Sequence, residues 1–228
     1  MIFETSLLST AYFPPIEYFA AIANSRRAEI ESGEMYQKQS YRTRCHINGA
    51  NGLLVLTLPV LRSALKEEGT SSHKLPTAEL KIDYSKPWLL QHKRALEAAY
   101  MSSPFFEYYM DDIYEILESG EENLLAMNTA LTRKVAGLIG LETPIELSGR
   151  EFIMPGSEAL VQEGISDFRD SIHPKKKSDL LERLQLEKPY WQVFTNKQGF
   201  VPNLTILDLL FNEGPNAVSF LESVSYRK

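Results

Sequence analysis

The sequence has little that indicates a secreted or membrane protein. Cys45 is the single cysteine among 228 residues, so an intramolecular disulfide cannot form and an oxidising compartment is not indicated. No apolar run approaches the roughly 20 residues that span a bilayer. The N-terminus lacks a basic run followed by an apolar core, which is the pattern of a signal peptide. We therefore expect a cytoplasmic protein without a membrane span.

An excess of positive charge and the familiar catalytic motifs are also absent. The formal net charge is -6, whereas non-specific binding of nucleic acid needs a dense basic surface, so no nucleic-acid partner is expected. The chain contains no Walker loop, no G-x-G-x-x-G, no G-x-S-x-G and no zinc-ligand spacing. We predict no metal site and assign no cofactor.

The order of predicted elements indicates an α/β fold. Strands over 5–10 and 27–31 enclose a helix over 15–25, which is typical of a parallel crossover. The turn residues 48–52 separate two further extended segments, 40–47 and 53–60, and predict a hairpin. We expect a mixed, partly parallel sheet with flanking helices, in a Rossmann-like or nucleotidyltransferase-like order. One domain over 1–228 is predicted, with a small C-terminal helical lobe over 178–228 as the alternative.

The remaining segments follow from apolar periodicity and turn signals. Residues 61–76 are polar and predict a long surface loop. Strands are expected over 78–83 and 143–148. Helices are expected over 88–100, 105–117, 124–139, 178–184 and 203–213, the last capped by Asn203.

The stretch from Leu7 to Phe19 predicts a strand that turns sharply at two prolines into a helix. Ligands of α/β proteins favour the crevice at such strand ends. Thr10, Tyr12 and Tyr18 are therefore candidates for a binding floor. The alternative is an ordinary turn whose aromatic side chains fill the core.

Three cations lie close together between the first helix and the hairpin. Lys38, Arg42 and Arg44 project from one face if this segment is extended, and arginine binds phosphate and carboxylate bidentately. The pattern predicts a site for an anionic small molecule. The alternatives are a solvated strand face or ion pairs with the nearby carboxylates Glu29, Glu31 and Glu34.

Two side chains are candidates for moving a proton. His92 lies at the polar margin of an amphipathic helix, where a histidine is either structural or a general acid or base. Asp208 is flanked by Leu207 and Leu209 in a very apolar helix, so a buried carboxylate there needs a partner. Cys45 precedes His46 on a predicted strand, where adjacent side chains point to opposite faces, so we interpret Cys45 as structural.

Several segments together resemble the WbqC-like family, in order and over nearly the whole chain: Ser9–Phe19, Tyr36–Arg44, Leu56–Val60, Trp88–His92, Ala99–Phe106 and Asn203–Asn212. Many relatives begin the first segment with Gln-Pro, where this chain has Thr10-Ala11. The resemblance implies a role in the biosynthesis of O-antigen and other surface polysaccharides.

The resemblance and the candidate residues together suggest a transferase. It would take an activated anionic donor, held by Lys38, Arg42 and Arg44, and a sugar-type acceptor. Tyr12 and Tyr18 would form the floor, and His92 or Asp208 would move the proton. The alternative, favoured by 11 Phe and 11 Tyr without a catalytic motif, is a non-enzymatic binding or scaffold protein of a glycan-assembly pathway.

Overall fold

A four-stranded parallel sheet lies at the centre of the computed structural model, which describes residues 2–61 and 75–223. Its strands are β1 (Phe3–Leu8), β2 (Ser25–Ile30), β5 (Ile145–Leu147) and β6 (Ile165–Asp167), and their order across the sheet is β5-β2-β1-β6. β2 and β5 therefore lie on one side of β1, and β6 lies on its other side. This confirms the α/β class and is compatible with a Rossmann-like order.

The predicted hairpin forms, but it is a separate sheet. β3 (Arg44–Gly49) pairs antiparallel with β4 (Gly52–Thr57) from Arg44 opposite Thr57 to Gly49 opposite Gly52. Gly52 has a φ of 106°, which a residue without a side chain adopts readily. Residues 40–43 are turns rather than strand. Among the described residues, this pair is the antiparallel sheet, isolated antiparallel bridges occur elsewhere, and the central sheet is wholly parallel.

The crossover from β1 to β2 uses α1 (Ile16–Ala23), which is buried along almost its whole length. Asn203, predicted to cap the later helix, instead accepts a hydrogen bond at Oδ1 from the Glu17 N–H, at 3.0 Å. Thr205 caps that later helix through a longer contact from the Leu207 N–H, at 3.5 Å. The segment before the later helix therefore stabilises the start of α1.

Helices surround the sheet and share one hydrophobic core with it. The helices predicted after residue 87 are confirmed, and the strand predicted over 78–83 is wrong. That segment is a 3-10 helix, Thr77–Glu79, followed by single bridges from Lys81 and Ile82, because it meets a different neighbour at each residue. The predicted loop over 61–76 lies largely outside the described residues. The helices are α2 (Trp88–Tyr100), α3 (Phe106–Leu117), α4 (Leu124–Ile139), α5 (Glu158–Gln162), α6 (Leu180–Arg183), α7 (Thr195–Gln198) and α8 (Ile206–Glu213), followed by a 3-10 helix, Gly214–Phe220.

Within residues 2–61 and 75–223, no helix is both long enough and apolar enough to cross a membrane.

Candidate functional site

The carboxyl ends of the parallel strands form a crevice where β1 and β6 separate. Ser9 and Thr10 follow β1, Glu31 and Glu34 follow β2, and Arg169 follows β6. In open α/β sheets this reversal of strand order is where ligands bind, because the loops on its two sides diverge. The crevice is therefore the first place in the molecule to look for a functional site.

A buried ion pair between Arg42 and Glu34 closes the bottom of this crevice. The Arg42 Nε–H donates to Glu34 Oε1 at 2.9 Å and Arg42 Nη2 donates to Glu34 Oε2. Only 4% of Arg42 and 3% of Glu34 is exposed. The Thr10 N–H and the Ser9 hydroxyl donate to the two oxygens of the same carboxylate, at 3.2 and 2.8 Å. Burial raises the pKa of Glu34, and Arg42 opposes that rise without cancelling it.

A second buried arginine lies beside the first pair. Arg169 Nη1 donates to Glu31 Oε2 at 2.7 Å, and Arg169 Nε and Nη2 grip Asp167 bidentately, both at 2.9 Å. The free oxygen of Glu31 accepts the Gly33 N–H at 2.8 Å. Burial raises the pKa of Asp167, but the hydrogen bonds from Arg169 outweigh it and the net shift is downward. The two arginines are thus held rigidly by carboxylates from β2 and β6.

Glu34, Arg42 and Arg169 from these pairs form part of the wall of a cavity of about 370 Å³, a size typical of small-molecule sites. The wall combines charged and apolar side chains. The guanidinium of Arg169 lies 5.4 Å from the Phe152 ring centroid, so this aromatic ring packs against a charged group. The wall comprises Glu34, Met35, Tyr36, Gln37, Arg42, Phe152, Met154, Pro155, Arg169 and Asp170.

Basic residues from a distant segment reach the same region. Lys175 Nζ donates to Gln39 Oε1, which joins the segment after β6 to the turn that precedes β3. Burial lowers the pKa of His173, and the positive charges of Lys176, Arg42 and Lys175 lower it further. The basic segment after β6 therefore lies close to the turn that contains Arg42.

The predicted binding residues are only partly brought together. Thr10 contacts Glu34, and the Tyr18 hydroxyl donates to the Ser9 carbonyl at 2.9 Å, so both lie beside Arg42. Lys38 is exposed, and Arg44 is half-buried at the start of β3. The prediction that Lys38, Arg42 and Arg44 share one strand face is wrong, because the chain turns between residues 37 and 43 instead of extending. For Arg42, the alternative of an ion pair with Glu34 is the one that forms.

Tyr12 and His92 form a pair of their own in the core. The Tyr12 hydroxyl lies 2.8 Å from His92 Nδ1, and 0% and 4% of these residues are exposed. Burial lowers the pKa of His92 to about 4, with a hydrogen bond to the Thr57 backbone acting in the opposite direction. His92 is therefore neutral near pH 7, with both ring nitrogens engaged. Its role as a proton carrier stays a prediction.

Asp208 lies in a third cluster, on α8. The Tyr190 hydroxyl and Gln192 Nε2 both donate to Asp208 Oδ2, the latter at 2.9 Å. Burial raises the pKa of Asp208 to about 6, although these hydrogen bonds lower it. The predicted need for a partner is thus met by neutral donors. A catalytic role for Asp208 stays a prediction.

Sequence reasoning missed Glu31, Glu34, Asp167 and Arg169 as site residues. One signal was present: Glu31 is the last residue of the predicted second strand, so it lies at the carboxyl edge where sites occur. Arg169 gave no such signal, because β6 has only three residues and was not predicted. Cys45 is fully buried and burial raises the pKa of its thiol, as suits a structural residue. Among the described residues, no group of three or more His, Cys, Asp or Glu side chains is placed to hold a metal ion.

Comparison with known proteins agrees with the family resemblance of three segments: the turn after β1, the basic segment before β3, and α8. The sequence profile of the WbqC-like protein family matches residues 10–161 and 175–220. The chain belongs to the WbqC-like protein family. The match includes Arg42 and Glu34, whereas Arg169 lies between its two parts. The Uncharacterized protein Rv1507c of Mycobacterium tuberculosis is a similar chain, 27% identical over 237 residues, which cover 96% of this chain and 97% of that one. No solved structure matches this WbqC-like chain.

Proposed function

We propose that this WbqC-like protein is a transferase that takes an activated anionic donor and a sugar-type acceptor, in surface-polysaccharide or O-antigen biosynthesis. The observation that carries the proposal is the cavity at the carboxyl edge of the parallel sheet, with Arg42 in its wall. Lys175 and Lys176 lie on the segment after β6, and Lys175 contacts Gln39 in the turn that contains Arg42. Enzymes with open α/β sheets bind their substrates at this edge.

The donor's anionic group is assigned to Arg42 together with the two lysines. A guanidinium has five N–H groups, and four are used by Glu34, Ser9 and Gln37 among the described residues. The contact from Nη1 to Gln37 Oε1 is the weakest of these, at 3.3 Å. Nη1 therefore has an N–H to offer to a phosphate or carboxylate, and the exposed ammonium groups add attraction from the solvent side.

The acceptor is assigned to the same cavity, beside the donor. Tyr36 and Phe152 present flat apolar faces in its wall, and Glu34 and Asp170 present carboxylates. A sugar ring combines an apolar face with hydroxyl donors at its edge. The apolar face can pack against the aromatic rings, and the hydroxyl groups can donate to the carboxylates. Amino groups on the ring would gain further from the carboxylates.

A screen of donors by ligand-induced thermal stabilisation tests the proposal, because a ligand that binds the folded state raises its apparent stability. Nucleotide sugars, acyl-coenzyme A thioesters and aminoacyl donors should be compared. The variant Lys175→Gln/Lys176→Gln should weaken binding of the best donor about tenfold. Lys81→Gln/Lys86→Gln removes the same charge from another exposed segment and should leave binding unchanged. Equal weakening by the two double variants, or no stabilisation by any donor, contradicts the proposal.

A second candidate function is a non-enzymatic binding or scaffold role in glycan assembly. It is favoured by β4, where three consecutive apolar side chains are exposed: Leu53 by 57%, Leu54 by 44% and Val55 by 42%. Exposed apolar residues in a row are typical of interaction surfaces. The double variant Leu53→Ser/Val55→Ser should then abolish association with a partner or a second copy in light scattering, with donor binding unaffected.

A further inference from the structure

Ser9 stands in an arrangement that the proposed function has not used. It is the first residue after β1, and it is partly exposed at the crevice where β1 and β6 diverge. Its hydroxyl donates to Glu34 Oε2 at 2.8 Å and accepts from Arg42 Nη2 at 2.9 Å. The carbonyl of Arg169, at 3.4 Å, is a more distant alternative acceptor.

These contacts match what activates a hydroxyl nucleophile. Such a site needs a base within about 2.6–3.2 Å of the hydroxyl, and a third group that orients the base. Glu34 is the base at this distance, and it is held by Arg42 and by the Thr10 N–H. Burial raises the pKa of Glu34, so this carboxylate binds a proton more tightly than an ordinary one does.

Ser9 borders a small void beside Arg42. The void measures about 10 Å³, which is the room that one water molecule needs. Arg42 lines both this void and the cavity of about 370 Å³, whereas Ser9 lines only the void. Arg42 is therefore the residue that the surroundings of Ser9 and the donor cavity share.

We propose that Ser9 is a nucleophile that accepts an acyl group from the activated donor, with Glu34 as its base and Arg42 as the group that stabilises the developing oxyanion. This inference rests on the proposed transferase function and narrows its donor to the class of acyl thioesters and related activated acyl groups. A cation beside the reacting carbonyl favours the charged intermediate of acyl transfer.

The step balances with two reactants, the acyl donor and a hydroxyl or amine acceptor. Ser9 Oγ bonds to the acyl carbon while its proton passes to Glu34 Oε2. The bond from that carbon to the leaving group then breaks, and Glu34 protonates the leaving group. In the second half, the acceptor attacks the acyl-serine, its proton passes through Glu34 to Ser9 Oγ, and the acyl group leaves on the acceptor.

The test uses p-nitrophenyl acetate as the acyl donor and the full-length protein. We expect a burst of p-nitrophenolate equal to the protein concentration, and one acetyl group on the peptide that contains Ser9 after an acid quench. Ser9→Ala should abolish both, and Ser9→Cys, which keeps a nucleophile, should restore the adduct. Glu34→Gln should slow the burst roughly a hundredfold. Ser32→Ala is the matched control, because the Ser32 hydroxyl donates to the Ser148 carbonyl rather than to a carboxylate.

The outcomes separate this inference from the proposed function. Acetylation confined to lysines, or no burst while circular dichroism shows a folded protein, overturns the role of Ser9. If acyl-coenzyme A still stabilises that protein, the donor site stands without the serine. Acetylation of Ser9 by the ester, with no donor binding in any variant, instead supports the nucleophile and contradicts the anion site.

Discussion

Two regions of the molecule bury carboxylates in opposite ways. At the crevice, Glu34 and Glu31 are each paired with an arginine, and Glu34 and both arginines line a cavity. On α8, Asp208 receives hydrogen bonds from neutral donors, among them Tyr190 and Gln192. We expect the difference to be functional as well as energetic, because a charge beside an open cavity can act on a ligand, whereas a carboxylate enclosed by neutral donors chiefly organises its own surroundings.

The first prediction breaks the crevice pair. Arg42→Met leaves Glu34 buried without its counter-charge, and we expect it to lower the free energy of unfolding by about 3–5 kcal/mol. Adding Glu34→Gln should restore more than half of this loss, because the uncompensated charge is gone. Urea denaturation measures both. Arg150→Met is the control. The pairs of Arg150 with Glu29 and Glu163 are more exposed, so this variant should lower the free energy of unfolding clearly less. Equal losses for Arg42 and Arg150 would contradict the contrast.

The second prediction concerns the neutral environment of Asp208. Its pKa is about 6 in the folded protein against an ordinary 3.8, so the folded state binds the proton more tightly than the unfolded state. Stability should therefore fall as the pH rises from about 4 to about 6 and then level off. Because the side chain in Asp208→Asn cannot titrate, the free energy of unfolding of the wild type should fall by up to about 3 kcal/mol relative to that of this variant over the same pH range. Denaturation of both proteins at several pH values measures the difference, and a constant difference would show that Asp208 is not destabilised by burial.

The third prediction separates structure from catalysis at Tyr12. Tyr12→Phe removes the hydroxyl that pairs with His92 Nδ1, and it should cost about 1–2 kcal/mol because a buried polar atom loses its partner. Tyr108→Phe, at an exposed tyrosine, should cost nothing measurable. If the pair is only part of the core, donor binding should stay unchanged in Tyr12→Phe. Weaker donor binding without loss of stability would instead move Tyr12 to the site.

Local pattern predicted most of the helices and the order of the first two strands. The long amphipathic helices α2, α3 and α4 were readable because apolar residues recur at helical spacing over several turns. β6 was not readable, since three residues carry no periodicity and its pairing with β1 spans most of the chain.

The site was less predictable than the fold for a related reason. Arg42 and Glu34 are only eight residues apart, and their pairing was among the alternatives that the sequence left open. Arg169 and Glu31 are 138 residues apart, so their contact depends on the complete sheet. Tyr12 was predicted as part of a binding floor, and His92 and Asp208 as candidates for moving a proton. Sequence could not distinguish a polar group that meets a ligand from one that meets another side chain.

The last prediction concerns the link between the two regions, the contact from the segment before α8 to the start of α1. Asn203→Ala removes the acceptor of the Glu17 N–H and should cost about 1 kcal/mol, the usual value of a helix cap. Asn203 has a φ of 52°, which asparagine tolerates better than alanine, so Asn203→Gly separates the two effects. Asn203→Gly should recover the stability lost through the backbone conformation but not the stability lost with the hydrogen bond. α1 follows the turn that begins at the crevice. A loss of stability larger than that of a helix cap, accompanied by weaker donor binding, would therefore mean that the two regions are coupled through this contact.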